Sequence, residues 1–143
     1  MFININVIRI NNCKYLEGIT MLDELSEKEE RIALLLTETG LSRSIAKIIV
    51  FLSRAGEAVS RDIERAANLR QPEVSLAMKD LKEWGWIKEK ELRRKGKGRP
   101  MKSYKLTLDL KEIVSELIDK KRREIEKISK DLDELEKLVG LNR

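Results

Sequence analysis

The strongest chemical signal in the chain is a run of basic side chains. From Arg93 to Lys105 the sequence places seven of them, Arg93, Arg94, Lys95, Lys97, Arg99, Lys102 and Lys105, and no acid. Such density repels itself unless a polyanion neutralises it. Gly96 and Gly98 let the backbone approach a phosphate chain or lie in a narrow groove. A tip made basic only for solubility is the plain alternative. Glu89 and Glu91 argue against it, because they balance the charge just before the run while nothing balances the run itself. The chemistry implied is recognition of charge rather than bond-making. The chain has no histidine, which removes imidazole bases, histidine metal ligands and every Ser-His or Cys-His triad. Its one cysteine, Cys13, excludes an intrachain disulfide and a cysteine zinc cluster. No basic cluster surrounds Cys13 to depress its pKa, so an inert thiol is expected. The acids show no paired-carboxylate or metal-binding spacing. No enzymatic activity, metal or cofactor is therefore expected.

A second set of polar residues lies upstream. Pro72 suits the first turn of a helix, where its missing N–H needs no partner. In the helix that follows, Val74, Ala77, Met78 and Leu81 form an apolar stripe. The opposite side carries Gln71, Ser75, Lys79 and Lys82, with Arg70 just ahead and Leu76 beside them. These types suit a helix lying in a DNA major groove. Gln reads adenine with two hydrogen bonds, Lys and Arg read guanine or phosphate, and an exposed Leu meets a thymine methyl. An ordinary solvated helix face would also be rich in charge. A basic loop one strand after such a helix makes the DNA reading the stronger one. Lys97-Gly98-Arg99-Pro100 also resembles the core of an AT-hook, in which an extended Gly-Arg-Pro places the arginine in a narrow A·T-rich minor groove.

The rest of the chain must position these two sets. Residues 1–20 form an extension, either a strand (Ile3 to Ile10 alternates in part, and Asn11-Asn12 reads as a turn) or a disordered leader. Ser26 and Glu29 match a capping box. The helix after them places Ile32, Leu35 and Leu36 on one face. Ser42 or Ser44 caps the next helix, whose Ile45, Ile48, Ile49 and Leu52 recur at i, i+3, i+4, i+7, with Phe51 alongside. Ser60 caps a short helix with Ile63, Ala66 and Ala67 inward, and Asn68-Leu69 makes the turn. Gly85 ends the Pro72 helix. Trp84 and Trp86 are expected to pack in the core at the junction with a strand. The basic tip follows, and Lys102 to Leu108 returns as a second strand with Tyr104, Leu106 and Leu108 alternating.

Asp109 opens a final helix expected to reach Val139 before Gly140. Val114, Ile118, Ile125, Ile128, Leu132, Leu135 and Val139 fall on one seam with alternating spacings of four and three, and Lys121 is its only polar member. That is a coiled-coil pattern. About thirty residues make roughly 45 Å of helix, more than a small domain covers, so a homodimer through this seam is expected. Leu110, Ile113 and Leu117 lie on an adjacent face.

From Leu41 to Leu108, about half the chain, the sequence resembles winged-helix regulators of the MarR and TrmB type, especially small archaeal ones. Gly40-Leu41-Ser42, Ile63 with Ala66-Ala67, Gln71-Pro72-Glu73-Val74-Ser75, Leu81 to Gly85, and Gly98-Arg99-Pro100 ahead of Tyr104 carry the likeness. It implies DNA contacts from Arg70, Gln71, Ser75, Lys79 and Arg99. No large C-terminal sugar-binding domain follows, so no small-molecule effector is evident.

The expected fold is mainly α with a small β-hairpin. It comprises an extension over 1–20, a winged helix-turn-helix domain over 21–108 and a helical dimerisation segment over 109–143. The 143 residues, 38% charged and 4% aromatic, suit a helix-rich domain, and the net charge of +5 is a modest basic excess whose meaning depends on where the positive charge sits. No run is apolar enough to span a membrane and no secretory signal is recognisable, so a cytoplasmic protein is expected. The leading functional expectation is a sequence-specific regulator of transcription that binds double-stranded DNA as a homodimer. Its site would be pseudo-palindromic with A/T-rich flanks and half-sites about one turn, roughly 10 bp, apart. The alternatives are a protein-interaction module of a larger transcription or chromatin assembly and, more weakly, an RNA-binding winged helix.

Overall fold

The computed structural model describes residues 15–16, 19–20, 23–92 and 101–142. The expected strand at Ile3–Ile10, the turn at Asn11-Asn12 and Cys13 lie outside the described residues. Next to them, β1 (Tyr15–Leu16) pairs antiparallel with β2 (Ile19–Thr20).

Helix α1 (Glu27–Glu38) begins with the expected capping box. The Glu29 N–H donates to Ser26 Oγ at 3.2 Å, and the Ser26 N–H donates to Glu29 Oε1 at 2.9 Å. The inward face of α1 differs from the expected one. Ala33 and Leu36 are buried, whereas Leu35 is 50% exposed. The small Ala33 lets the next helix approach, and the buried face is centred there rather than on Leu35. Helix α2 (Arg43–Ala55) is capped by Ser42, whose Oγ accepts from the Ile45 N–H at 3.2 Å. Every residue from Ile45 to Leu52 is buried, because α2 is packed against α1 on one side and the remaining helices and sheet on the others. Full burial of side chains such as Ile48, Ile49 and Phe51 stabilises the fold by about 2 kcal/mol each.

Beyond Gly56, β3 (Glu57–Val59) leads into α3 (Ser60–Ala67). Ser60 is the first helical residue rather than the cap; Val59 occupies the cap position without a side-chain bond. Helix α4 (Gln71–Glu83), β4 (Ile87–Leu92) and β5 (Met101–Leu106) follow. The sheet has three antiparallel strands in the order β3-β5-β4. The sequence pattern revealed the β4–β5 hairpin; β3 adds a strand on the other edge of β5, with Ala58 opposite Tyr104 and Val59 opposite Ser103. Ser103, 2% exposed, donates from its hydroxyl to Glu57 Oε1 at 2.5 Å and so ties β3 to β5.

The chain divides into two units, Met1–Leu110 and Lys111–Arg143. Helix α5 (Leu110–Val139) supplies the second. It ends in a Schellman motif: Gly140 has φ +75°, its N–H donates to the Lys137 carbonyl, and the Leu141 N–H donates to the Glu136 carbonyl at 2.9 Å. No helix among the described residues is long and apolar enough to cross a membrane.

Candidate nucleic-acid interface

The turn between α3 and α4 is built by backbone geometry. Asn68 takes the left-handed conformation, φ 53° and ψ 53°, which an Asn tolerates better than most residues. The Leu69 N–H then donates back to the Glu64 carbonyl at 2.9 Å. Leu69 is buried and pins the chain as it leaves α3. The Arg70 N–H donates to Glu73 Oε2 at 2.8 Å, closing the first turn of α4.

A residue from outside the turn holds it as well. Lys47 belongs to α2, yet its Nζ donates to the carbonyl of Ala67, the last residue of α3, at 3.3 Å. Its side chain is 7% exposed, with Glu30 of α1 3.7 Å away as its ion partner. A cation at a helix C-terminus satisfies an orphan carbonyl and complements the helix dipole. Helical periodicity alone does not single out Lys47, although one signal is present: it is the only charged residue in the run from Ile45 to Leu52.

Given that anchoring, α4 sorts its residues cleanly. Val74, Ala77, Met78 and Leu81 are buried, as their spacing predicts. Arg70, Gln71, Ser75, Leu76, Lys79 and Lys82 are all exposed, Leu76 by 64%.

The hairpin shares one carboxylate with this helix. Glu89 of β4 lies 3.3 Å from Lys82 Nζ of α4 and 3.6 Å from Lys102 Nζ of β5. Burial by itself would raise the Glu89 carboxyl. The hydrogen bond and charge of Lys82, the charge of Lys102 and a hydrogen bond from Tyr104 outweigh it, so the group lies below its ordinary 4.5. Lys82 and Lys102, expected from sequence in two separate sets, are thus brought together. The other wing residues, Arg93, Arg94, Lys95, Lys97 and Arg99, lie outside the described residues.

The tryptophans depart from the sequence expectation. Trp84 is 46% exposed rather than buried, and meets Trp86 edge to face with centroids 5.2 Å apart. Gly85, at φ +74°, turns the chain between them, and Thr107 clamps that turn by donating from Oγ1 to the Gly85 carbonyl at 2.6 Å. The two rings therefore pack on each other at the corner, with Trp84 left partly in solvent and Trp86 half-buried.

Three helices, a tight turn before the last of them and a three-stranded antiparallel sheet whose β4–β5 hairpin follows make up a winged helix-turn-helix. Among solved structures, a possible transcriptional regulator from Methanosarcina mazei Go1 superposes with a TM-score of 0.53 at 13% identity, covering 71% of this chain and 84% of that one. TrmBL2, described as an archaeal chromatin protein with a novel mode of DNA binding, superposes with a TM-score of 0.50 at 19% identity, over 77% of this chain and 42% of that one. A MarR family regulator from Neisseria meningitidis is a looser match, with a TM-score of 0.44 at 19% identity over 76% of this chain and 82% of that one. What the first two share with this chain is the winged-helix fold. No protein-family model matches the chain, and no curated protein matches it.

Proposed function

We propose that the protein is a sequence-specific transcription regulator that binds double-stranded DNA as a homodimer inside the cell. In this reading α4 enters the major groove, where Gln71, Ser75, Leu76 and Lys79 meet base edges and Arg70 and Lys82 meet phosphate. The wing residues Arg93, Arg94, Lys95, Lys97, Arg99 and Lys102 follow the backbone and the adjacent minor groove. The seam of α5 joins the two copies through Val114, Ile118, Ile125, Ile128, Leu132, Leu135 and Val139. The observation that carries the proposal is the sorting of α4. A helix fixed at its start by a left-handed turn and a buried lysine presents an outward face of Gln, Ser, Leu and Lys, and a basic hairpin follows it. That combination suits base readout beside phosphate contact. One structural neighbour is described as a possible transcriptional regulator and the other as a chromatin protein that binds DNA, which points in the same direction.

Selection of genomic DNA fragments by the purified chain tests the reading. The expected result is enrichment of one pseudo-palindromic motif, with half-sites about one turn, roughly 10 bp, apart and A/T-rich flanks. Recovery of fragments without any shared motif would remove the sequence-specific reading. A second reading, a winged-helix module binding another protein in a transcription or chromatin assembly, is favoured by the exposed Leu76 and Trp84. A chain that leaves no footprint on any selected DNA, and is monomeric until a different polypeptide is added, would establish that reading instead.

A further inference from the structure

Helix α5 leaves most of its seam uncovered: Ile125 is 64% exposed and Leu132 55%. Leu138, 78% exposed, lies off that seam, so the seam alone does not account for it. Resting on the homodimer reading above, we propose that the partner is a second α5 running antiparallel in one register. Ile125 packs on Ile128 of the second copy, Ile118 on its Leu135, and Val114 on its Val139.

Three features of the helix select this arrangement over a parallel one. The first is Lys121, the single polar residue in the seam. Parallel pairing sets each core position against its own copy and places two lysine ammonium groups together in the core. The antiparallel register sets Lys121 against Leu132 instead, where the aliphatic stem packs and the ammonium reaches the edge. The second is the charge on that edge. Lys121 already holds Glu124 at 2.8 Å. Antiparallel pairing brings Asp131 of the second copy, the neighbour of its Leu132, to the same edge, so the ammonium sits between two carboxylates. Parallel pairing would set Asp131 beside Glu136 of the second copy with no cation between them. The third is Leu138. In the antiparallel register Leu138 lies beside Leu117 of the second copy, extending the apolar contact at both ends. In the parallel arrangement Leu117 faces Arg122. A different protein as partner would leave these matches within one helix unexplained.

Cysteine cross-linking of the full chain tests the register. In a Cys13→Ser background, Ile118→Cys and Leu135→Cys are prepared separately, and circular dichroism verifies that each retains its helix content. Each is oxidised alone and then as an equilibrated mixture. In the proposed register residue 118 is opposite residue 135 of the second copy. Two copies of residue 118 are then separated by about 26 Å of helix at 1.5 Å per residue, far beyond disulfide reach. The expected result is a disulfide-linked dimer in the mixture at least tenfold above either variant alone. Efficient cross-linking of each variant by itself would overturn the antiparallel register while leaving the homodimer intact. A dimer in sedimentation with no cross-link in any sample would show that this seam is not the interface. A monomer in sedimentation would overturn the register and the homodimer reading together, and DNA binding, measured separately, would still report on α4 and the wing.

Discussion

Lys47 illustrates what one residue contributes at a distance from any ligand. Its ammonium is buried, and the carbonyl it satisfies belongs to the residue that ends α3. Lys47→Ala removes that donor and the packed stem, and leaves the carbonyl without its charged partner. Unfolding in urea should show a loss of about 2–4 kcal/mol. Lys47→Met keeps the stem and should cost less; equal losses would mean that the ammonium contributes nothing. The residues proposed to read bases should behave differently. Gln71→Ala and Lys79→Ala replace exposed side chains, so stability should change by less than about 0.5 kcal/mol. In competition binding each should lose about 1–3 kcal/mol of discrimination between the selected site and a base-substituted one. An unchanged preference would remove that residue from base readout. At this scale the sequence was legible where exposure follows from helical phase, as for Gln71 and Lys79. It was opaque for Lys47, because a lysine in an apolar run shows where it starts but not which carbonyl lies twenty residues further on.

At the scale of elements, Glu89 couples α4 to the hairpin through Lys82 and Lys102. Its carboxyl is lowered in the folded chain, so the stabilisation is complete at neutral pH and is lost as pH falls through the lowered folded value, below the ordinary 4.5. Glu89→Gln should therefore flatten the acid limb of the stability curve, with a loss at neutral pH of no more than about 1 kcal/mol for such an exposed pair. In the proposed DNA complex the same change would free two lysines for phosphate. Binding to DNA of unrelated sequence should tighten, and unchanged non-specific affinity would mean that Lys82 and Lys102 do not face the backbone. The wing is tested separately by changing Arg93, Arg94 and Arg99 together to Ala. If each neutralises one phosphate, the salt slope of DNA binding should fall by about 0.9 for every arginine removed. An unchanged slope would place the wing off the DNA. The helices were legible because an apolar stripe at period 3.6 survives in sequence, as in α2 and α4. Strand β3 was not, because Glu57-Ala58-Val59 is too short to show a period and its partner Ser103 lies 46 residues away. Leu35 misled for a related reason: period alone does not show that the small Ala33 is where the neighbouring helix comes close.

For the whole molecule, the proposed pairing of two copies through the exposed seam of α5 would make assembly, and DNA binding with it, a matter of concentration. A seam interrupted by Lys121 binds its copy less tightly than an all-apolar one. While most of the protein is monomeric, the dimer population, and with it the occupied DNA, grows as the square of chain concentration. A doubly logarithmic plot of DNA occupancy against dilute protein should then have a slope near 2, and Lys121→Leu, by tightening the pair, should bring the slope toward 1 over the same range. A slope of 1 for the unaltered chain would mean that it is already paired at every concentration tested. A single lysine in a hydrophobic stripe would thereby set a threshold of abundance: halving the amount of protein would empty three-quarters of its weakly occupied sites rather than half.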